Sequence, residues 1–197
     1  MGDGPRGGNW RGAGGRNMTS VPLALASSRW HELTQAYGAA DDIPRLLEAL
    51  ATVAGDTERM ELWFGVWATL CPDSRVYTAA YAAVPHLLTV TQGQGTAERV
   101  AAMHVVAQVE ASRHLDGAPE IPADLVLAYA AAIESLPQSV AELAPIPWDA
   151  ASAQVLAAAL LVGKHQPALA RAVLSLAEGT SYTAGAAADG VEKTAFH

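Results

Sequence analysis

The chain of 197 residues has a mass of 20.4 kDa and a net charge of −8, from 12 basic and 20 acidic residues, which suits one domain with tails. Hydrophobic residues supply 51% and charged residues only 16%, which excludes a wholly disordered chain. No apolar run reaches the roughly 18 residues that cross a membrane, so no membrane association is expected. Val21 to Ala26 is likewise too short for the core of a signal peptide. Cys71 is the single cysteine, so no internal disulfide forms and a reducing, cytoplasmic setting is expected. Alanine makes up about a fifth of the sequence, an all-α composition by helix propensity.

In chain order, residues 1–17 (MGDGPRGGNWRGAGGRN) are rich in Gly and Arg, have no hydrophobic period and read as a flexible tail. Residues 180–197 read the same way, leaving 18–179 as one helical domain. Within it, apolar runs end at Gly38, Gly55, Gly93, Gly163 and Gly179, each suited to the left-handed position after a helix. Ser28, Asp42, Asp56 and Asp149 stand where N-caps belong. The pattern predicts helices at about 28–37, 42–54, 57–71, 76–92, 96–112, 122–135, 149–162 and 167–178.

An internal repeat organises these helices. Asp42-Ile43-Pro44-Arg45-Leu46-Leu47 and Ala83-Val84-Pro85-His86-Leu87-Leu88 both place an aliphatic residue before a proline and a Leu-Leu pair after it. Weaker echoes occur at Ile121-Pro122 and Gln166-Pro167, giving a period near 40, the spacing of two-helix solenoid units. Proline is tolerated in a first helical turn, where its missing N–H breaks no bond, and the leucines that follow it turn one face toward the neighbouring unit.

The stretch Ala83-Val84-Pro85-His86-Leu87-Leu88 followed by Glu98-Arg99-Val100-Ala101-Ala102 resembles the HEAT-repeat pattern, with Arg99 at the arginine position of that pattern. Leu62-Trp63, Leu70-Cys71 and the run Val76 to Pro85 resemble a group of uncharacterised bacterial HEAT-like proteins. Those often carry Gly-Thr before Val-Tyr, where this chain has Ser74-Arg75. The resemblance covers about residues 42–112 and implies a HEAT-like α-solenoid of about four antiparallel helix pairs.

Signatures of chemistry are scarce. There is no His-Glu-x-x-His, no cysteine pair, no Gly-x-Ser-x-Gly and no phosphate loop with lysine. None of the six histidines stands three or four residues from another or from Cys71, so no metal site and no cofactor are expected. Cys71 reads as a small buried hydrophobe and His104 as a packed or partly satisfied residue of an apolar helix. Gly93-Gln94-Gly95-Thr96 reads as a turn with Thr96 as the N-cap.

The aromatic residues carry more. Trp63 and Trp67 share one face of a helix, and Tyr77 and Tyr81 share one face of the next. The turn between supplies Asp73 and Arg75, and His86 follows. Trp63 and Trp67 sit among Leu62, Phe64, Val66 and Leu70, so that helix is expected to be interior. Two readings stand for this hairpin: a core seam, or a recognition surface made of Trp67, Asp73, Arg75, Tyr77, Tyr81 and His86, since Trp, Tyr and Arg dominate binding hot spots.

The leading expectation is a protein–protein interaction module, of an accessory or immunity type, that recognises a partner on a concave face. An acidic chain favours a basic protein partner. The alternative is a helical-repeat enzyme, such as a lyase-like chromophore attachment protein, or less readily a base-excision glycosylase, which would need a basic groove. Between Ser20 and Thr180 there are 8 basic and 17 acidic residues, a balance that repels phosphate backbones. A chain starting at Met18 is therefore expected to shift no duplex DNA or RNA in a gel at physiological salt. Micromolar, salt-sensitive binding would contradict that expectation.

Overall fold

The computed structural model describes residues 20–176 and is all-α but for a two-stranded hairpin. The expected tails at 1–17 and 180–197, and the cap at Gly179, lie outside the described residues. The helices are α1 (Ile43–Thr52), α2 (Asp56–Leu70), α3 (Thr78–Thr91), α4 (Thr96–Ser112), α5 (Val126–Leu143), α6 (Ala150–Gly163) and α7 (167–176). Among the described residues no helix is long and apolar enough to cross a membrane.

Contacts between the helices follow a simple order. α1 packs on α2, α3 on α4 and α5 on α6, while α3 also touches α1 and α5, and α4 touches α6. α3 lies at the centre. Ala79 to Leu88 are buried except for His86, and the alanines among them let neighbouring backbones approach closely. α2 is held mainly by α1, with lighter contact to α4, which makes it an edge helix.

Three expectations from the sequence are corrected here. The first concerns 28–37, which is not an α-helix: Ser28–Glu32 is a short 3-10 turn, followed by strands β1 (Thr34–Gln35) and β2 (Gly38–Ala39). Gly38 has φ +137°, open to glycine but costly for other residues, and it closes the hairpin and not a helix. Trp30 and Leu33 are buried and pin the segment, and the Thr34 N–H donates to Thr78 Oγ1 at 2.8 Å. The turn's tertiary anchors outweigh a weak helical period.

The second concerns caps. Gly55 is the N-cap of α2 and neither it nor Gly93 is left-handed, while Asp56 is the first residue of α2 and not its cap. Ser27 caps the 3-10 turn in place of Ser28, whereas Asp149 does cap α6 by accepting from Ser152 N–H at 2.7 Å. α6 ends through His165, at φ +58°, whose N–H donates to Val162 O, while Gln166 N–H donates to Leu161 O. That pair of hydrogen bonds is a Schellman closure with a histidine where glycine is usual.

The third concerns prolines. Pro44 and Pro167 stand in first helical turns, but Pro85 lies in the middle of α3 and Pro122 in the turn before α5. The four therefore do not hold equivalent positions. α5 begins at Val126 and runs through Pro137 to Leu143, beyond the expected end at 135. Gly163 accommodates that proline: a Cβ on Gly163 would lie 2.5 Å from Pro137 Cδ and 3.2 Å from the Ile133 carbonyl that Pro137 leaves without its helical donor. Gly163→Ala is expected to destabilise the fold by about 1–3 kcal/mol in urea unfolding, the usual cost of overpacking. Unchanged stability would show that α5 and α6 yield freely at this crossing.

Candidate functional site

The hairpin residues named from sequence do not form one surface. Trp67 is half-buried on α2, with its ring 6.3 Å from Phe64. Asp73 and Arg75 are exposed in the turn from α2 to α3, and Tyr77 is half-buried just before α3. Tyr81 is only 1% exposed, and its hydroxyl donates to Pro119 O at 2.7 Å. His86 Nε2 donates to Leu23 O at 2.7 Å, and its ring packs 6.3 Å from Trp30, so it ties the N-terminal segment to α3. The Tyr81 hydroxyl and His86 Nε2 are thus engaged by backbone carbonyls of the fold itself. In the turn, Asp73 and Ser74 both have positive φ, 49° and 60°. Ser74 has a left-handed backbone of the kind glycine adopts most readily, and its Oγ accepts from Gln108 Nε2 at 3.2 Å.

The expectation that α2 is interior is overturned. Only Val66, Thr69 and Leu70 of α2 are buried, whereas Met60 is 67% and Phe64 68% exposed, and Trp63 is half-buried. The apolar run from Leu62 to Leu70 goes round the helix, yet it is only partly covered: Leu62, Trp63 and Trp67 are half-buried and Phe64 is exposed. Trp63 and Met60 open with Arg59 and Ala101 onto a shallow cavity against α4 of about 320 Å³. On the other flank, Leu46, Ala49, Val53, Glu58, Glu61 and Leu62 line a groove of about 640 Å³ between α1 and α2.

A second constellation escaped the sequence reading. Glu110 on α4 is 4% exposed and accepts from Arg113 Nε, from Arg113 Nη2 at 2.8 Å and from the Tyr129 hydroxyl at 2.7 Å. His114 Nε2 lies 3.1 Å from the same carboxylate. The Arg113 guanidinium sits 5.9 Å from the Tyr129 ring centre, and Tyr129 meets Tyr81 edge-on at 5.2 Å. Glu110, Arg113, Tyr129, Glu134 and His165 border a cavity of about 200 Å³. A carboxylate inside the run Val105 to Ala111, with Arg and His three and four residues on, was the available signal.

Burial pushes the Glu110 carboxyl up, but hydrogen bonds from Arg113 and Tyr129 outweigh it and hold the group below its ordinary value. Burial raises Tyr129 well above the usual phenol range and Tyr81 to about 12, so both hydroxyls remain donors at neutral pH. Cys71 is fully buried, and burial pushes its thiol up to about 11, as expected of an inert packed cysteine. His104, expected to be packed or partly satisfied, keeps part of its surface exposed, while burial of its surroundings pushes the imidazole below its ordinary value. Among the described residues no group of three or more His, Cys, Asp or Glu is placed to hold a metal ion.

No family model matches the chain, and no curated protein or solved structure does either. Because the carboxyl of Glu110 is depressed in the fold, its contribution to stability is complete above the unfolded carboxyl range, near 4.5. That contribution is lost as pH falls through the lower folded value. Glu110→Gln is expected to cost about 2 kcal/mol at pH 7 and progressively less below about pH 4. Denaturant midpoints for both proteins across pH test this, and a cost that is constant with pH would contradict it.

Proposed function

We propose that this chain is a protein–protein interaction module of HEAT-like character, an accessory or immunity-type protein whose α1–α2 edge recognises a partner. The observation that carries the reading is the uncovered side of α2, where Met60 and Phe64 are 67% and 68% exposed beside half-buried Trp63 and Trp67. Clustered exposed apolar groups on a folded chain mark interaction surfaces, and Trp, Phe and Met are enriched at interface centres. The reading moves recognition from a concave face to this edge. Arg75 and Asp73, exposed in the turn that follows α2, stand at its end. The net charge of −8 favours a basic partner. The helix order supports the HEAT-like part of the reading, because consecutive pairs stack with α1, α3 and α5 in contact as a row. The single buried cysteine fits a reducing cytoplasm.

The enzyme alternative would place chemistry in the cavity beside Glu110. At about 200 Å³ that cavity is smaller than common ligand pockets of about 300–1,000 Å³, and the carboxylate is already engaged by Arg113, Tyr129 and His114. The interaction reading is accordingly preferred. Its test is the double variant Met60→Glu and Phe64→Glu. Both sites are exposed and Glu is a good helix former, so stability should change by less than about 0.5 kcal/mol per site. Partners captured from native lysate by the wild-type chain and identified by mass spectrometry should be lost. Undiminished capture by the folded variant would refute the edge as the recognition surface.

A further inference from the structure

We propose that the groove between α1 and α2 receives an amphipathic helix of the partner protein, apolar along its seam and basic along its flanks. The proposal rests on the interaction-module reading and names the element that the edge would grip. Leu46, Ala49 and Val53 recur at three- and four-residue spacing along one flank of α1, and Leu62 faces them from α2. Their spacing makes ridges of the kind that interdigitate with another helix, and Ala49 leaves room for close approach. The groove encloses about 640 Å³, space for several side chains of a docked helix. In the described chain α1 packs chiefly on α2 and α3, and neither covers this flank.

The rim supplies the charge argument. Glu58 and Glu61 line the groove and are exposed, and among the described residues neither forms an ion pair. The nearby cation on α2, Arg59, is committed elsewhere: its Nη1 lies 2.9 Å from Asp56 and 3.2 Å from Glu98. The groove therefore presents two uncompensated negative charges beside an apolar floor. Lys or Arg on the flank of an incoming helix complements both, and steers its approach. A strand would find no pairing edge here, since the walls are helices and the β1–β2 hairpin is two residues per strand.

The test is an unbiased selection. A displayed library of random peptides is panned on the full chain, and the most enriched peptide is labelled with fluorescein and titrated by anisotropy at low and high salt. Enriched sequences should carry large apolar residues at i, i+3 or i+4, and i+7 with Lys or Arg between them, and the labelled peptide should gain helical circular dichroism on binding. Glu58→Lys with Glu61→Lys should weaken it by at least about tenfold at low salt and less at high salt. Ala49→Gln, which fills the groove from a half-buried position in its lining, should weaken it at both. No enrichment, enrichment of acidic or non-helical sequences, or unchanged affinity in both variants would overturn the proposal. Should the Met60/Phe64 double variant lose its captured partner while the peptides fail, the helix-in-groove proposal falls and the interaction module stands. If capture also survives that variant, both fall.

Discussion

Glu110 is 4% exposed, and a carboxylate so placed is tolerable only with its oxygens engaged by charged or hydroxyl donors. Arg113 and His114 come from the turn that ends α4, but Tyr129 comes from α5, so satisfying the charge fixes the approach of one helix to the other. Tyr129 in turn packs edge-on against Tyr81 of α3, whose hydroxyl holds the Pro119 carbonyl in the α4–α5 connection. One ionised group thereby sets the relation of three helices and a loop. Apolar packing alone would leave these alanine-rich surfaces freer to slide, because small side chains make few distinctive contacts per turn.

Close approach is the other half of the arrangement. Ala158, Ala159, Val162 and Gly163 of α6 are fully buried against α4 and α5, and Pro137 enters α5 where Gly163 leaves space for its ring. The central block from α3 to α6 is consequently dense. α1 joins it through Ile43, Leu47 and Leu50, and α2 joins chiefly through α1. Part of the apolar surface of the sequence is left on α2, where Met60 and Phe64 are exposed, Phe64 beside Trp67 and Met60 at the cavity against α4.

The helical class and six of the seven helices were legible in the sequence, with α5 found but ended too early, because alanine content and 3.6-residue periodicity report local preference. Three features were not. The 28–37 stretch has a helical pattern, yet Trp30 and Leu33 are drawn into the core and Thr34 bonds to Thr78, all tertiary events. Gly163 looks like a cap in one dimension and serves as a packing gap in three. The exposure of α2 was hidden because an apolar helix reads the same whether its second face meets the core or solvent. Of the candidate site residues, Trp67, Asp73 and Arg75 lie on or beside the edge, while Tyr81 and His86 face inward through hydrogen bonds to Pro119 and Leu23 carbonyls that no periodicity foretells. Glu110 was visible as a charge in an apolar run, but its partner Tyr129 lies 19 residues away across a connection.

The molecule divides into a core tied together through Glu110 and an α1–α2 edge left partly uncovered. Native-state hydrogen exchange followed residue by residue measures this division directly. The account predicts that amides of α3, α4 and α5 exchange last, through global unfolding, while those of α2 exchange through local opening at much lower free energy. Amides of α2 protected as strongly as those of α4 would show the edge to be part of the locked core and would contradict the account.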